Sequence, residues 1–223
     1  MPSRQRLSPA ERRTQLLAVG ARLFAARPYD DVLMEEVAEA AGVSRALLYR
    51  HFPSKNALFA AVYQQAADRL LAETRLDPAD SLMDQLVQGM EVHLDYFVAN
   101  RHAVLAANRV LAGDPVIQTI MANELDALRT RLLALLPLAD ESAHEAVSGV
   151  LKSWLVFVQV LCVDWLTHGT CTRTQLRDVC IGAVLGALRP LLAEDPAPDW
   201  PPQQSPSSTV RSRAQRGASA TSQ

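Results

Sequence analysis

An all-α fold, in which a small N-terminal module precedes a larger helical domain, is what this 223-residue sequence predicts. Three observations carry that expectation. Ala and Leu dominate while Val/Ile/Thr runs are scarce, so that hydrophobic residues reach 49% of the chain with aromatics at only 5%; such a mixture favours helix over sheet. Apolar residues return at three- and four-residue intervals through most of the chain. The length suits one good core or two small ones.

The same composition narrows the function classes. No run of about 18 apolar residues is free of charge, and MPSRQRLSPAERR has no apolar core of a signal peptide, so a cytoplasmic protein with no membrane partner is expected. Cys162, Cys171 and Cys180 are an odd number without CxxC spacing or clustered histidines; reduced thiols are expected, with no metal site and no cofactor. Charge is uneven. Residues 1–55 hold nine Arg or Lys against six Asp or Glu, and the remainder thirteen against eighteen, so the N-terminal end is the one suited to a polyanion.

The first helix is announced by Ser8-Pro9-Ala10-Glu11, a cap, a proline at the first helical position and a capping-box glutamate. Its apolar stripe, Leu16, Leu17, Val19, Leu23 and Phe24, reaches about Ala26 before Pro28-Tyr29-Asp30-Asp31 breaks it. A short helix over Met34 to Ala41 follows, its start expected to lean on Asp30 or Asp31. Gly42 ends it in a reversal that side chains oppose, Val43 pins the turn, and Ser44 caps a third helix. In that third helix Leu47, Leu48 and Phe52 face inward, which turns Arg45, Ala46, Tyr49 and Arg50 outward. Pro53-Ser54-Lys55 then opens a long helix to about Thr74.

Beyond Asp77-Pro78, helices are expected at about Ser81–Asn100, His102–Leu111, Pro115–Leu136, Glu141–His168 and Arg173–Ala193, separated by Gly113-Asp114-Pro115, Pro137 to Asp140, and Gly169 with Thr172 and Gln175 in capping-box register. Residues 195–223, rich in Pro, Ser, Gln and Arg without an apolar period, read as a disordered tail. The resulting division is a flexible basic arm over 1–9, a helix-turn-helix module over 10–56 joined by the helix 56–74, a larger helical domain over 75–194, and the tail.

Two helices joined by a glycine turn, the second basic and polar on its outer face, form the arrangement that lays a helix in the DNA major groove. Residues 14–63, above all VAEAAGVSRALLYRHFPSKNALFAAVY, resemble the DNA-binding module of the tetracycline-repressor (TetR) family of bacterial transcriptional regulators: AGVS, LYRHF and SKxxLF occur in order and at the family's spacing. The resemblance covers about a quarter of the chain. It implies that Arg45, Ala46 and Arg50, following the cap Ser44, reach base edges while Tyr49, His51 and Lys55 hold phosphates, roles that suit these side chains. Arg4 and Arg6 add contacts from the arm. The sequence departs from the family where Val32-Leu33 replace a Ser or Thr cap and where Ala46-Leu47 replace Gly-Thr, so the operator does not transfer.

One helix-turn-helix reads few base pairs, so a homodimer is expected. Its interface is placed on the last two helices, at Leu151, Leu155, Val158 and Cys162 and at Gly182 and Gly186, where small residues permit close approach; packing within one subunit is the competing reading. The resemblance also implies an apolar small-molecule effector, for which the candidate contacts are Met90, His93, Phe97, Asn108, Met121, Trp154, Phe157, Gln159 and Trp165, set against plain core packing of the Met and aromatic residues. The expected function is a repressor released from a palindromic operator by that effector. An activator of the same family and a sequence-tolerant architectural DNA binder are the alternatives. An enzyme is not expected, since Asp164, His168 and Cys171 do not make a nucleophile, base and orienting group, and no catalytic residue is assigned.

Overall fold

The computed structural model describes residues 7–74, 80–136, 138 and 140–192, and no strand occurs among them. Arg4 and Arg6 of the arm, Pro137 and the expected tail lie outside the described residues. Helix α1 (Pro9–Ala26) starts as its capping box requires: the Glu11 N–H donates to Ser8 Oγ at 3.3 Å and the Ser8 N–H to Glu11 Oε2 at 2.8 Å. A 3-10 turn, Tyr29–Asp31, leads to α2 (Met34–Ala40). The start of α2 does not lean on Asp30 or Asp31, which are taken up in that turn. Glu36, at the third helical position, accepts the Leu33 N–H at 3.1 Å, and Arg27 grips the same carboxylate with two N–H groups at 3.1 and 2.8 Å.

The turn after α2 satisfies the helix's last carbonyls. With Gly42 at φ 63°, its N–H donates to Glu39 O and the Val43 N–H to Ala38 O, each at 2.9 Å, the paired bonds of a left-handed helix ending. Gln15 of α1 donates to Ala41 O at 3.2 Å and holds the turn against the module. Helix α3 (Arg45–His51) is capped by Ser44, whose Oγ accepts from the Leu47 N–H at 3.2 Å, and α4 (Lys55–Glu73) by Ser54.

These four helices close on Phe24, Leu48, Phe52, Leu58 and Phe59, all nearly or fully buried. The Phe24 and Phe59 rings meet edge to face at 5.1 Å, an arrangement their quadrupoles favour. Gly20 lets α1 approach α4: a Cβ there would stand 3.2 Å from Val62 and 3.3 Å from Leu58.

The rest comprises α5 (Leu82–Ala99), α6 (Arg101–Leu105), α7 (Pro115–Leu133), α8 (Glu141–His168) and α9 (Arg173–Leu192). The helix expected over 102–111 changes character at Ala106–Val110, a π-helical turn in which Asn108 donates to Val104 O at 2.9 Å. Asp114 caps α7 and Thr172 with Gln175 caps α9, as their spacing predicts. Arg173 and Arg177 of α9 bind Glu91 of α5, and Arg173 also binds Asp95.

Two apolar cores result, and the first does not stop at the helix-turn-helix. Ala103, Ala106 and Ala107 after α5, and Ile117, Ile120 and Met121 of α7, pack into it. The second is built from α5, α7, α8 and α9. Residues up to Leu192 accordingly form one contact unit, and the packing crosses the boundary expected near residue 75.

Helix α8 is apolar around most of its girth, long and apolar enough by composition to cross a membrane, yet one side of it is packed in the second core. That side carries Leu151, Leu155, Val158 and Cys162, so these four expected interface residues face their own subunit. The residues left outward are Val156, Phe157 and Val160, the last 64% exposed, beside Val179 of α9. Gly182 and Gly186 remain on an exposed face, where added Cβ atoms would meet nothing.

A Cβ at Gly42 also meets nothing, so a side chain there costs only the strain of the left-handed backbone. Gly42→Ala is expected to lower stability by about 1–2 kcal/mol, read as a lower urea midpoint with an unchanged slope.

Candidate nucleic-acid interface and internal cavity

Helix α3 is held by Leu48, fully buried, and by Phe52, on whose ring the Arg13 guanidinium lies at 4.6 Å. With that edge fixed, Arg45, Ala46, Tyr49 and Arg50 stand together on the exposed face, and Ser44 opens it. His51, at the end of α3, is half-buried. Arg45 is 65% exposed and rests against Glu35 of α2. An exposed pair of this kind is worth about 0–1 kcal/mol, so the guanidinium leaves it at little cost. Lys55, for which the resemblance implies a phosphate role, has partners within the chain. Its Nζ donates to Tyr29 O at 3.0 Å and Asp30 O at 3.3 Å and lies 4.3 Å from the centre of the Tyr29 ring, which ties the start of α4 to the turn before α2.

A cavity with an open mouth lies between α4, α5, α7 and α8. Of the expected ligand contacts, Met90, His93, Phe97, Met121, Trp154 and Gln159 line it. Three do not. Phe157 points outward from α8 at 40% exposure, and Trp165 donates its indole N–H to Cys171 O at 2.9 Å, away from the cavity. Asn108 stands behind the wall, where its Oδ1 accepts from Gln159 Nε2 at 2.8 Å and so orients that amide.

The polar lining that sequence reasoning missed comes from Tyr63 on α4, Gln85 and Tyr96 on α5 and Glu124 on α7. Glu124 falls in the inward stripe with Met121, Leu125, Leu128 and Leu132, and an acid within an apolar stripe is the signal that could have found it. Burial pushes its carboxyl up to about 7. The same cause pushes His93 down to about 4, so its ring is neutral near neutral pH. Tyr63 and Tyr96 are raised by burial and then by the nearby Glu124. Two buried polar atoms of the lining have no hydrogen-bond partner, Gln85 Oε1 and His93 Nε2.

The cavity wall is joined to the α3 module through α4, which α7 grips at both ends. At the start, Asn56 Nδ2 donates to Asp114 Oδ2 at 2.6 Å, on the carboxylate that caps α7. At the other end, Arg131 of α7 donates to Leu71 O and to Thr74 O, the last carbonyls of α4. Elsewhere, Asp164 and His168 form an exposed pair at 2.8 Å at the end of α8, a helix-end contact one turn long.

Residues 16–62 match the family described as bacterial regulatory proteins, tetR family. The HTH-type transcriptional activator FasR of Mycolicibacterium smegmatis is 44% identical over 70 residues, covering 31% of this chain and 32% of that protein. The HTH-type transcriptional regulator RutR of Escherichia coli K12 is 31% identical over 118 residues, covering 51% and 54%. The chain thus spans between a third and about half of the length of these two relatives. The HTH-type transcriptional repressor Rv1474c of Mycobacterium tuberculosis is 28% identical over 67% of this chain and 79% of its own. Among solved structures, a tetR-family transcriptional regulator from Streptomyces coelicolor superposes with a TM-score of 0.73 at 25% identity over 85% of each chain. Residues 16–62, which hold the glycine turn and the exposed face of α3, match this family, and the helical domain behind them is similar in fold to the Streptomyces coelicolor regulator.

Proposed function

We propose that this protein is a cytoplasmic, homodimeric repressor that reads a palindromic operator with α3 and releases it when a small apolar effector enters the cavity. The observation that carries the reading is the contiguous exposed face of Arg45, Ala46, Tyr49 and Arg50 on a helix fixed by Leu48 and Phe52. Arginine presents a planar fork that bonds two acceptors of guanine in the major groove. Tyr49 and His51 supply hydroxyl and imidazole groups for phosphates, with the Ser44 cap at the helix start. Lys55, committed to Tyr29 and Asp30, supports this surface from within.

Dimerisation is assigned to the outward faces of α8 and α9. Val156, Phe157, Val160 and Val179 form an apolar surface beside Gly182 and Gly186, and small residues let a partner helix approach closely. Two copies joined there present two recognition helices to two half-sites.

Effector action follows from differential affinity: a ligand shifts the operator-bound state only by as much as it prefers the other state. Tyr63 and Leu70 of α4 line the cavity while Leu58 and Phe59 of the same helix lie in the core beneath α3. A ligand that displaces the cavity end of α4 therefore changes how α3 is presented, and the contacts at Asp114 and Arg131 carry α7 with it.

Three outcomes test this reading. Fluorescence anisotropy on duplexes tiling the DNA around the protein's own gene is expected to find one tight palindromic site, with scrambled duplexes weak and salt-sensitive. Arg45→Ala and Arg50→Ala are each expected to weaken that site by about 1–3 kcal/mol while changing scrambled-duplex binding far less. Val160→Glu is expected to turn the dimer into a monomer in sedimentation velocity and to remove operator binding with it; a variant that remains dimeric would move the interface elsewhere.

A further inference from the structure

We propose that the effector is a lipophilic cation, a protonated or quaternary amine on an apolar or aromatic body, seated with its charge beside Glu124. This inference rests on the reading of the cavity as the effector site and adds the ligand's charge to it. Among the described lining residues Glu124 is the one carboxylate and there is no Lys or Arg. Among the described residues no hydrogen bond or ion pair is made to its carboxylate, and burial raises the carboxyl. An ionised group taken from water without a partner destabilises the fold until a counter-charge arrives. A cation in the cavity supplies that counter-charge, a neutral ligand gains little from it, and an anion is repelled.

The rest of the lining agrees. Gln85 Oε1 can only accept, because its amide nitrogen is fixed by donation to Asp80 O at 3.0 Å, and it has no partner. His93 Nε2 is likewise unpaired on a neutral ring, which has a lone pair to offer on one of its two nitrogens. Gln85 Oε1 is matched by the N–H of a protonated amine and repels a ligand carboxylate. Around them stand the rings of Tyr63, Tyr96, Phe97 and Trp154, whose faces attract a cation within about 6 Å of their centres. The remaining wall is aliphatic, which suits the body of an amphiphile more than a strongly hydrated polyamine.

Three probes of one chain length separate charge from burial: octyltrimethylammonium, octanol and octanoate, titrated calorimetrically at pH 8 into the full chain and into Glu124→Gln. The native protein is expected to bind the cation about tenfold more tightly than octanol, a difference of about 1.4 kcal/mol, with octanoate weakest. In Glu124→Gln the cation should fall to the level of octanol. Octanol or octanoate binding as tightly as the cation to the native chain overturns the proposal, as does a preference for the cation that survives in the variant. Binding of none of the three overturns the effector reading of the cavity itself.

Thermal melts establish that the variant is folded and carry a signature of their own. Because the folded carboxyl titrates near 7 rather than at 4.5, its contribution to native stability is full below pH 4.5 and is lost as pH rises through about 7. Glu124→Gln is expected to remove that loss, melting roughly 2–4 °C above the native protein at pH 8 and close to it at pH 4.5. Equal melting temperatures at pH 8 would mean that Glu124 already has a partner, and would overturn the proposal as well.

Discussion

The placing of a single helix both in the first core and in the cavity wall is the constraint on which the rest of this structure depends. Helix α4 has nineteen residues, about 28 Å at the usual rise. Leu58, Phe59 and Val62 fill the core beneath α3, and further along Tyr63 and Leu70 wall the cavity. A hydrogen-bonded helix without an interior proline or glycine has no cheap place to bend, and α4 has neither inside it. Displacement at one end is therefore transmitted to the other as rigid motion. The same helix gains side-chain bonds from α7 at Asn56 and near Thr74, so the two run alongside one another as a coupled pair.

Electrostatics divide the molecule along similar lines. The face of α3 is cationic but restrained, since Arg45 rests on Glu35 until a better acceptor displaces it. An exposed pair of this kind is weak, so the guanidinium exchanges partners at little cost. The cavity reverses the pattern, holding an acid whose carboxyl burial pushes up to about 7. Desolvation weakens ionisation there, whereas at the α3 face water screens every charge.

Much of the fold was legible because its signals are local. Ser8 with Glu11, Ser44, Asp114 and Thr172 with Gln175 each fix a helix start through residues two or three positions away, and a short window of sequence contains all the partners. The face of α3 was legible for the same reason, since one buried leucine and a four-residue turn settle which side is out. Helix α8 was not. Its hydropathy is high on most sides, so periodicity could not tell the stripe of Leu151, Leu155, Val158 and Cys162 from that of Val156, Phe157 and Val160, and the subunit's own core claimed the first. Cavity residues were half-legible: Met90, Met121 and Trp154 advertise themselves by size, but Tyr63, Gln85, Tyr96 and Glu124 come together from three separate helices. The two backbone carbonyls that Lys55 reaches lie 25 and 26 positions away, outside any local pattern.

The sharing of the first core has a consequence for modularity. Ala103, Ala107, Ile117 and Ile120 lie far along the chain yet close the hydrophobic interior of the N-terminal module. Cutting the chain after α4 would leave that interior uncovered, and a hybrid regulator joined at the same point would set the borrowed module against foreign versions of those four side chains. For this architecture the exchangeable cassette is discontinuous: α1 to α4 travel together with the small alanine surface after α5 and the first two turns of α7.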